Sequence, residues 1–383
     1  MPGTPAERQR AVSLAPTRVD VRLPDGGYEI VIGEGLLGGA ARFLAERLPR
    51  RRAIVVSDET VARLHAPTLS RGLQAAGIAT TLLTVPPGEG SKSFAEVERL
   101  VDALEALRVE RSEPVLALGG GVVGDLAGFV AAVRRRGSPF VQLPTTLLAQ
   151  VDSAVGGKTA INTRHGKNLV GAFHQPALVL SDVGTLASLP RREKLAGYAE
   201  MVKYGLLGNP AFFAWLERNG RAVLAGDSAA LVHAVAQCCR DKAAIVARDE
   251  REMGERALLN LGHTFAHALE AEAGFGARLL HGEAVALGCV MAFELSARLG
   301  HCPTADVARV LGHFAAVGLP SRPAELGLPD FPPERLLQHM AQDKKVRDGR
   351  LTFILVRGIG QAFISRAVEA AEVAALLRSA AAA

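Results

Sequence analysis

Lysine is the scarce cation in this 383-residue chain: of 44 basic residues, eight are lysine and 36 arginine. Aromatic residues are also few, at 5%, with one tryptophan and three tyrosines. The arginine clusters Arg50 to Arg52 and Arg134 to Arg136 are short and far apart, and no stacking platform accompanies them. The net charge of +5 therefore does not describe a nucleic-acid surface; a small anionic substrate fits it better. Long apolar runs are missing too. The longest, Ala284 to Phe293, is half what a bilayer helix needs, so no membrane span is expected. Residues 1–17 lack the apolar core of a secretory signal and read as a flexible N-terminal extension. The four cysteines, Cys238, Cys239, Cys289 and Cys302, have no C-x-x-C spacing, which points to free thiols in a reducing cytoplasm.

What is present is an ordinary globular mix, 49% apolar and 22% charged, at a length that predicts two domains. Residues 18–32 read as two strands around Asp25-Gly26-Gly27. Strand-like runs (Ala53 to Ser57, Ala79 to Val85, Pro114 to Leu118, Phe140 to Leu143, Ala177 to Leu180) then alternate with helical patterns (Glu59 to Ala76, Phe94 to Leu107, Leu126 to Arg135). Continuous apolar strands between amphipathic helices predict a parallel sheet covered on both faces. Beyond Asp182 the segments 192–207, 211–218, 228–247, 256–273, 282–299, 304–316 and 333–342 read as helices. Only Leu351 to Val356 and Ala362 to Ser365 read as strands there, before a helical tail. The expected architecture is an N-terminal α/β domain with a parallel sheet, 18–183, followed by a mostly helical domain, 184–383.

Chemistry-bearing motifs fall in both halves. Gly119, Gly121 and Gly124 satisfy G-x-G-x-x-G between a strand and a helix, where backbone can approach a pyrophosphate. The acid expected about 20 residues later is absent, so the usual dinucleotide fingerprint is incomplete. Asp58 ends an earlier strand and suits either a ribose hydroxyl or the cap of the next helix. Asp152-Ser-Ala-Val-Gly-Gly-Lys158-Thr159 mimics the end of a phosphate-binding loop but lacks its leading glycine. With Gly166-Lys167-Asn168 it suggests two flexible loops offering ammonium groups to phosphate or carboxylate. His263 and His267 are one helical turn apart, His281 opens the next helical run, and Glu200 lies one turn before Lys203. Two histidines and one carboxylate suit a catalytic Zn²⁺. Spacing alone does not choose Glu200 over Glu270 or Glu283.

Together these stretches resemble the 3-dehydroquinate synthase family over residues 53–357. The most specific are Gly119-Gly-Gly-Val-Val-Gly-Asp, Pro144-Thr-Thr-Leu-Leu-Ala-Gln-Val-Asp-Ser, Gly156-Gly-Lys-Thr, Gly166-Lys-Asn, Ala199-Glu-Met-Val-Lys-Tyr-Gly, Arg256-Ala-Leu-Leu-Asn-Leu-Gly-His-Thr-Phe, His281-Gly-Glu-Ala and Asp343-Lys-Lys. The resemblance implies that 18–183 is a Rossmann-like α/β nucleotide-binding domain and 184–383 a mostly helical metal- and substrate-binding domain, in a homodimer using NAD and a divalent metal, Zn²⁺ or Co²⁺. It implies conversion of 3-deoxy-arabino-heptulosonate 7-phosphate to 3-dehydroquinate and phosphate, in the shikimate pathway. The implied course is oxidation at C5, elimination of phosphate with the substrate's own phosphate taking the proton, re-reduction, and intramolecular aldol closure. Amino-dehydroquinate synthase or another sugar phosphate cyclase is the alternative activity.

By the same resemblance, Glu200, His263 and His281 hold the metal. Asp58, Glu89, Lys92, Gly119, Gly120, Gly121, Gly124, Asp125, Thr145, Thr146, Thr185, Leu186, Ala187 and Ser188 line the NAD site, with Lys158 and Lys167 also touching it. Asp152, Lys158, Asn168, Lys203, Lys242, Arg256, Asn260, His267 and one of Lys344 or Lys345 form the substrate pocket. Lys167 lies where substrate meets nicotinamide, and Arg136 reaches in from the partner subunit. Seven of the eight lysines fall inside these motifs; only Lys194 does not. In a chain that uses arginine for generic cations, retained lysines mark places that need a compact ammonium.

Overall fold

The computed structural model describes residues 15–381 apart from Asp25, Phe275, Ala277, 329–330 and 343–350. The Asp25 turn, most of the N-terminal extension, and Asp343, Lys344 and Lys345 therefore lie outside the described residues.

The first half runs β1 (Thr17–Leu23), β2 (Gly26–Gly33), α1 (Ala41–Leu44), β3 (Arg52–Asp58), α2 (Glu59–Ala75), β4 (Ala79–Val85), α3 (Phe94–Ala106), β5 (Val115–Gly119), α4 (Gly121–Val133) and β6 (Phe140–Pro144). Then follow β7 (Lys158–Thr163), β8 (Gly166–Phe173) and β9 (Leu178–Asp182). Seven strands form one sheet in the order β1-β2-β9-β6-β5-β3-β4. Every neighbouring pair is parallel except β1 and β2, which form an antiparallel edge hairpin. Alternation along β3 shows how the sheet is covered: Ala53 and Val55 enter one apolar cluster with α2, while Ile54 and Val56 enter another with α3 and α4.

The chain reverses its direction of growth between β3 and β5. From β3 it moves outward to β4, then crosses back to place β5 on the other side of β3. Such a switch point opens a crevice at the carboxyl ends of the strands, the usual ligand site of open α/β sheets.

The second half contains α5 (Arg191–Gly208), α6 (Pro210–Ala225), α7 (Ser228–Arg248), α8 (His263–Glu272), α9 (His281–Arg298), α10 (Thr304–Val317), α11 (Pro333–Gln342), the hairpin β10 (Phe353–Val356) and β11 (Ala362–Ser365), and α12 (Ala370–Ala381). Its apolar core is continuous with the β1-β2-β9 end of the sheet, through Val19, Ile30, Ile32 and Val179. Helix α5 runs through the middle of this core, with every residue from Ala196 to Leu207 buried.

Two expectations need correction. Lys158 and Lys167 do not sit on flexible loops: Lys158 opens β7 and Lys167 is the second residue of β8, in an antiparallel hairpin packed on α4. Its residues are only half-buried, so neither apolar runs nor strict alternation marked it as strand. Helix α4 starts at Gly121, five residues before the predicted Leu126, so the glycine motif forms its first turn. Glycine's poor helix propensity hid that start.

Candidate active site

The NAD segments implied by the resemblance converge on one edge of the sheet. Thr185 to Ser188 follow β9, Thr145 and Thr146 follow β6, Gly119 to Gly121 end β5, Asp58 ends β3, and Glu89 and Lys92 follow β4. These are the carboxyl ends of five consecutive strands, flanking the switch point. At its centre, α4 begins with no side-chain cap and no acid in its first turn, so its free N–H groups and positive dipole end face the crevice. A Cβ on Gly121 would meet Ser153 Oγ at 3.0 Å, so side chains are kept out of this cradle. Buried Thr145 Oγ1 makes no hydrogen bond with the described residues. An uncapped helix terminus, a bare backbone and an unpaired hydroxyl fit a dinucleotide pyrophosphate. Asp58 caps α2, its Oδ1 accepting from the N–H groups of Thr60 and Val61 at 2.9 and 3.0 Å. The capping alternative is thus met, and a ribose contact remains a proposal.

Lys92 ties the hairpin to this cradle. Its buried ammonium donates to Asp125 Oδ2 at 2.6 Å and to Asn168 Oδ1 at 2.5 Å. Burial raises the Asp125 pKa even against the nearby Lys92. Asn162, which the sequence reading missed, continues the network. Its Nδ2 donates to Glu89 Oε2 at 2.8 Å, and its Oδ1 accepts from the Asn168 N–H at 2.9 Å. Asn162 sits on a hairpin that gave no strand signal, so nothing pointed to it.

Glu200, His263 and His281 come from α5, α8 and α9, and their ligand atoms lie within 4.8 Å of one another. Helix packing fixes that proximity. Gly262 takes φ +79° just before α8, where a Cβ would stand 2.6 Å from Cys289 N of α9. His263 Nδ1 lies 3.2 Å from the Leu261 carbonyl, and His281 Nδ1 lies 3.0 Å from Glu270 Oε2. A carbonyl or an ionised carboxylate only accepts, so each Nδ1 carries hydrogen and each Nε2 is turned to Glu200, at 3.6 and 3.3 Å from Oε1. Lys203 Nζ is 2.6 Å from Glu200 Oε2, yet neither buried carboxylate oxygen accepts a hydrogen bond in good geometry. Two oriented imidazoles and an under-satisfied carboxylate fit a divalent metal with open positions.

The three acids that spacing left open have different surroundings. Glu283 accepts from the Leu280 N–H at 2.9 Å in the first turn of its own helix and pairs with Arg192, so it is a cap. Glu270 stands behind His281, and Glu200 faces both histidines. Burial opposes the charge on His281, but Glu200 and Glu270 outweigh it and push its pKa up to about 10. Burial likewise opposes the Glu270 charge, yet His281 and Lys167 hold its pKa at about 2.

Beside this trio runs a buried chain of alternating charge. Asp152 Oδ1 accepts from Lys242 Nζ at 2.6 Å and from the Tyr204 hydroxyl at 2.7 Å. Burial opposes ionisation of Asp152, but Lys242 and Lys203 hold its pKa well below the carboxylate range. Burial lowers the Lys242 pKa. Asp152 projects from a single π-helical turn, Ala149–Ser153, a distortion found often at functional sites. Arg256 is 1% exposed; Nη2 donates to the Gly156 carbonyl at 2.9 Å, Nη1 reaches the Glu250 carbonyl, and Nε donates to none of the described residues. Tyr204 was missed by sequence reading, although a phenol on a helix buried all round is a usable signal.

Not every predicted pocket residue stands open. Lys158 Nζ is paired with Glu252 at 2.5 Å, and Asn260 Nδ2 donates to the same carboxylate group at 2.9 Å. His267 is half-buried next to His263, with ring centroids 5.6 Å apart. Arg136 is exposed at φ +63°, just past the C-terminal end of α4. Arg134 and Arg135 are tied back to Glu105, but Arg136 makes no hydrogen bond or ion pair with the described residues.

Comparison with known proteins agrees with this geometry. Residues 82–196 match the family described as 3-dehydroquinate synthase N-terminal, and residues 197–346 match 3-dehydroquinate synthase C-terminal. The chain belongs to the 3-dehydroquinate synthase family. The 3-dehydroquinate synthase of Rhodospirillum rubrum is 57% identical over 380 residues, covering 99% of both chains. Among solved structures, the 2-epi-5-epi-valiolone synthase of Streptomyces hygroscopicus with NAD⁺ and Zn²⁺ bound is 31% identical. It superposes with a TM-score of 0.85 over 94% of this chain and 98% of that one. A 2-deoxy-scyllo-inosose synthase, 24% identical with TM-score 0.83 over 95% and 100% of the two chains, shares the fold.

Proposed function

We propose that this chain converts 3-deoxy-arabino-heptulosonate 7-phosphate to 3-dehydroquinate and phosphate, the activity of the family to which it belongs. The observation that carries the reading is the metal-ligand trio Glu200, His263 and His281 set beside buried Lys203, Lys242 and Arg256. Such a site binds a hydroxylated substrate that also carries fixed negative charge. Bound here, a divalent metal supplies Lewis acidity at a substrate hydroxyl and NAD supplies a reversible hydride acceptor, so phosphate leaves with no net redox change.

The protein's own contribution is placement. Glu200, His263 and His281 hold the metal, and the structural relative solved with Zn²⁺ supports zinc. Lys242 and the unpaired Nε of Arg256 receive the substrate carboxylate, which offsets the cost of burying them. Lys158, Asn168, Asn260, His267 and a lysine of the 344–345 pair hold the phosphate, which must displace Glu252 from Lys158 and Asn260. Asp152 keeps Lys242 charged and aimed. Lys167 stands between nicotinamide and substrate. Residues 18–183 form the dinucleotide-binding half and residues 184–383 the metal- and substrate-binding half. Arg136, without a partner among the described residues, completes the pocket of a second subunit in a cytoplasmic homodimer.

Lys242 and Arg256 argue for a substrate with a carboxylate. Phosphate release should therefore be fast with the heptulosonate phosphate and negligible with sedoheptulose 7-phosphate, which has no carboxylate. Equal turnover of the two would overturn the assignment.

A further inference from the structure

The carboxylate of Glu270 joins two parts of the site that the activity leaves separate. It is 5% exposed, on the face of α8 that also carries His263 and His267. Its Oε2 lies 3.0 Å from Nδ1 of the metal ligand His281, and its Oε1 lies 3.4 Å from Nζ of Lys167 on β8. One oxygen therefore sets the electron density of a metal ligand, while the other is partly neutralised by a lysine of the dinucleotide and substrate site. The Lys167 contact is the longer of the two, and the Lys167 side chain is 26% exposed.

We propose that Glu270 is a positioning residue that couples metal affinity to occupancy of the dinucleotide site, with Lys167 as the moving part. This rests on the reading of Lys167 as a lysine that meets the bound dinucleotide. The sign follows from electrostatics. When an anionic ligand draws the Lys167 ammonium toward itself, Glu270 loses part of its neutralising charge. Its negative charge then acts more fully on the Nδ1–H of His281, and Nε2 becomes a stronger donor to the metal. NAD⁺ should tighten zinc, and by linkage zinc should tighten NAD⁺ by the same factor.

The test is zinc affinity, measured by chelator competition on the full-length protein with and without saturating NAD⁺. In the unaltered chain NAD⁺ should tighten zinc by about 5-fold or more. Glu270→Gln should weaken zinc by about 10- to 100-fold and abolish the response to NAD⁺. Lys167→Met cuts the same link from its partly exposed end, which leaves the helical core untouched. It should bind zinc at least as tightly as the unaltered chain without NAD⁺, and gain nothing further when NAD⁺ is added at concentrations shown to saturate it. Zinc affinity independent of NAD⁺ in the unaltered chain, or a response to NAD⁺ that survives Lys167→Met, would overturn the proposal. If Glu270→Gln does not fold, the Lys167→Met comparison decides alone. Normal turnover of the heptulosonate phosphate with no coupling would defeat this inference only, whereas zinc coupling without turnover would defeat the proposed activity only.

Discussion

Gly282 offers a direct way to test whether helix packing sets the metal site. It follows His281 at the start of α9 and presses against α5 one turn before Glu200. A Cβ built there would lie 1.9 Å from the Ala196 carbonyl oxygen and 2.4 Å from its carbon. Ordinary contact begins at 3.4 Å, so Gly282→Ala must part the two backbones by about 1.5 Å. Neither neighbour is a flexible side chain that can swing away. The strain costs about 1–3 kcal/mol of stability. The functional loss should be larger, because the same movement acts on the 3.3 Å gap between His281 Nε2 and Glu200 Oε1. A displacement near 1 Å at a reacting centre costs on the order of 10²-fold in rate. We expect a folded protein with a lower Tm, sub-stoichiometric zinc after dialysis, and kcat/KM reduced by about 10²-fold or more. Zinc content by atomic absorption, thermal melting and phosphate release give the three readings. Full zinc occupancy with near-normal kcat/KM would show that the α5–α9 contact does not set the ligand geometry.

Lys242→Arg should lose at least about 10²-fold in kcat/KM although charge is kept, because the buried ammonium serves both Asp152 O and Oδ1, at 2.7 and 2.6 Å, and a planar fork displaces them; Lys194→Arg is the matched control and should behave normally. Arg136→Ala and Asn260→Asp should each be weak alone yet regain activity when mixed and allowed to exchange subunits, and no recovery after exchange verified by mass would mean a site built within one chain. Glu113 is 2% exposed and accepts from Arg52 at 2.6 and 2.8 Å and from the Glu110 N–H at 2.7 Å. The Arg52 hydrogen bond holds its pKa below the ordinary carboxylate value against burial. Its stabilisation is therefore complete above the unfolded carboxylate pKa and lost as pH falls through the lowered folded one. Glu113→Gln should cost about 2 kcal/mol at neutral pH, with denaturant curves converging on those of the unaltered chain in acid.

The parts legible in the sequence were those with a strong period or a rare combination. Strands β3 to β6 and β9 are short apolar runs flanked by amphipathic helices, and they form where expected because nothing else buries both faces of such a run. The trio proposed for the metal was legible as residue types, but no spacing encodes the helix packing that turns Glu200, rather than Glu270 or Glu283, toward both His263 and His281. The β7–β8 hairpin stayed hidden because its side chains are half-exposed and its pairing partner is local. Asn162 and Glu252 act through contacts made across that hairpin and a left-handed turn, and their neighbours in sequence carry no sign of it. Tyr204 was within reach: an unbroken buried helix that carries Glu200, Lys203 and a phenol spends stability on polar groups for a reason other than folding.

The central claim is that hydride leaves the substrate and returns to it within one turnover. It is tested most directly by supplying 3-deoxy-arabino-heptulosonate 7-phosphate in large excess over NAD⁺, with zinc present, and counting phosphate released against NADH formed. The account predicts many phosphates per NAD⁺ and no growing NADH absorbance. One NADH per product, with turnover stopping when NAD⁺ is spent, would make the protein a dehydrogenase and contradict it.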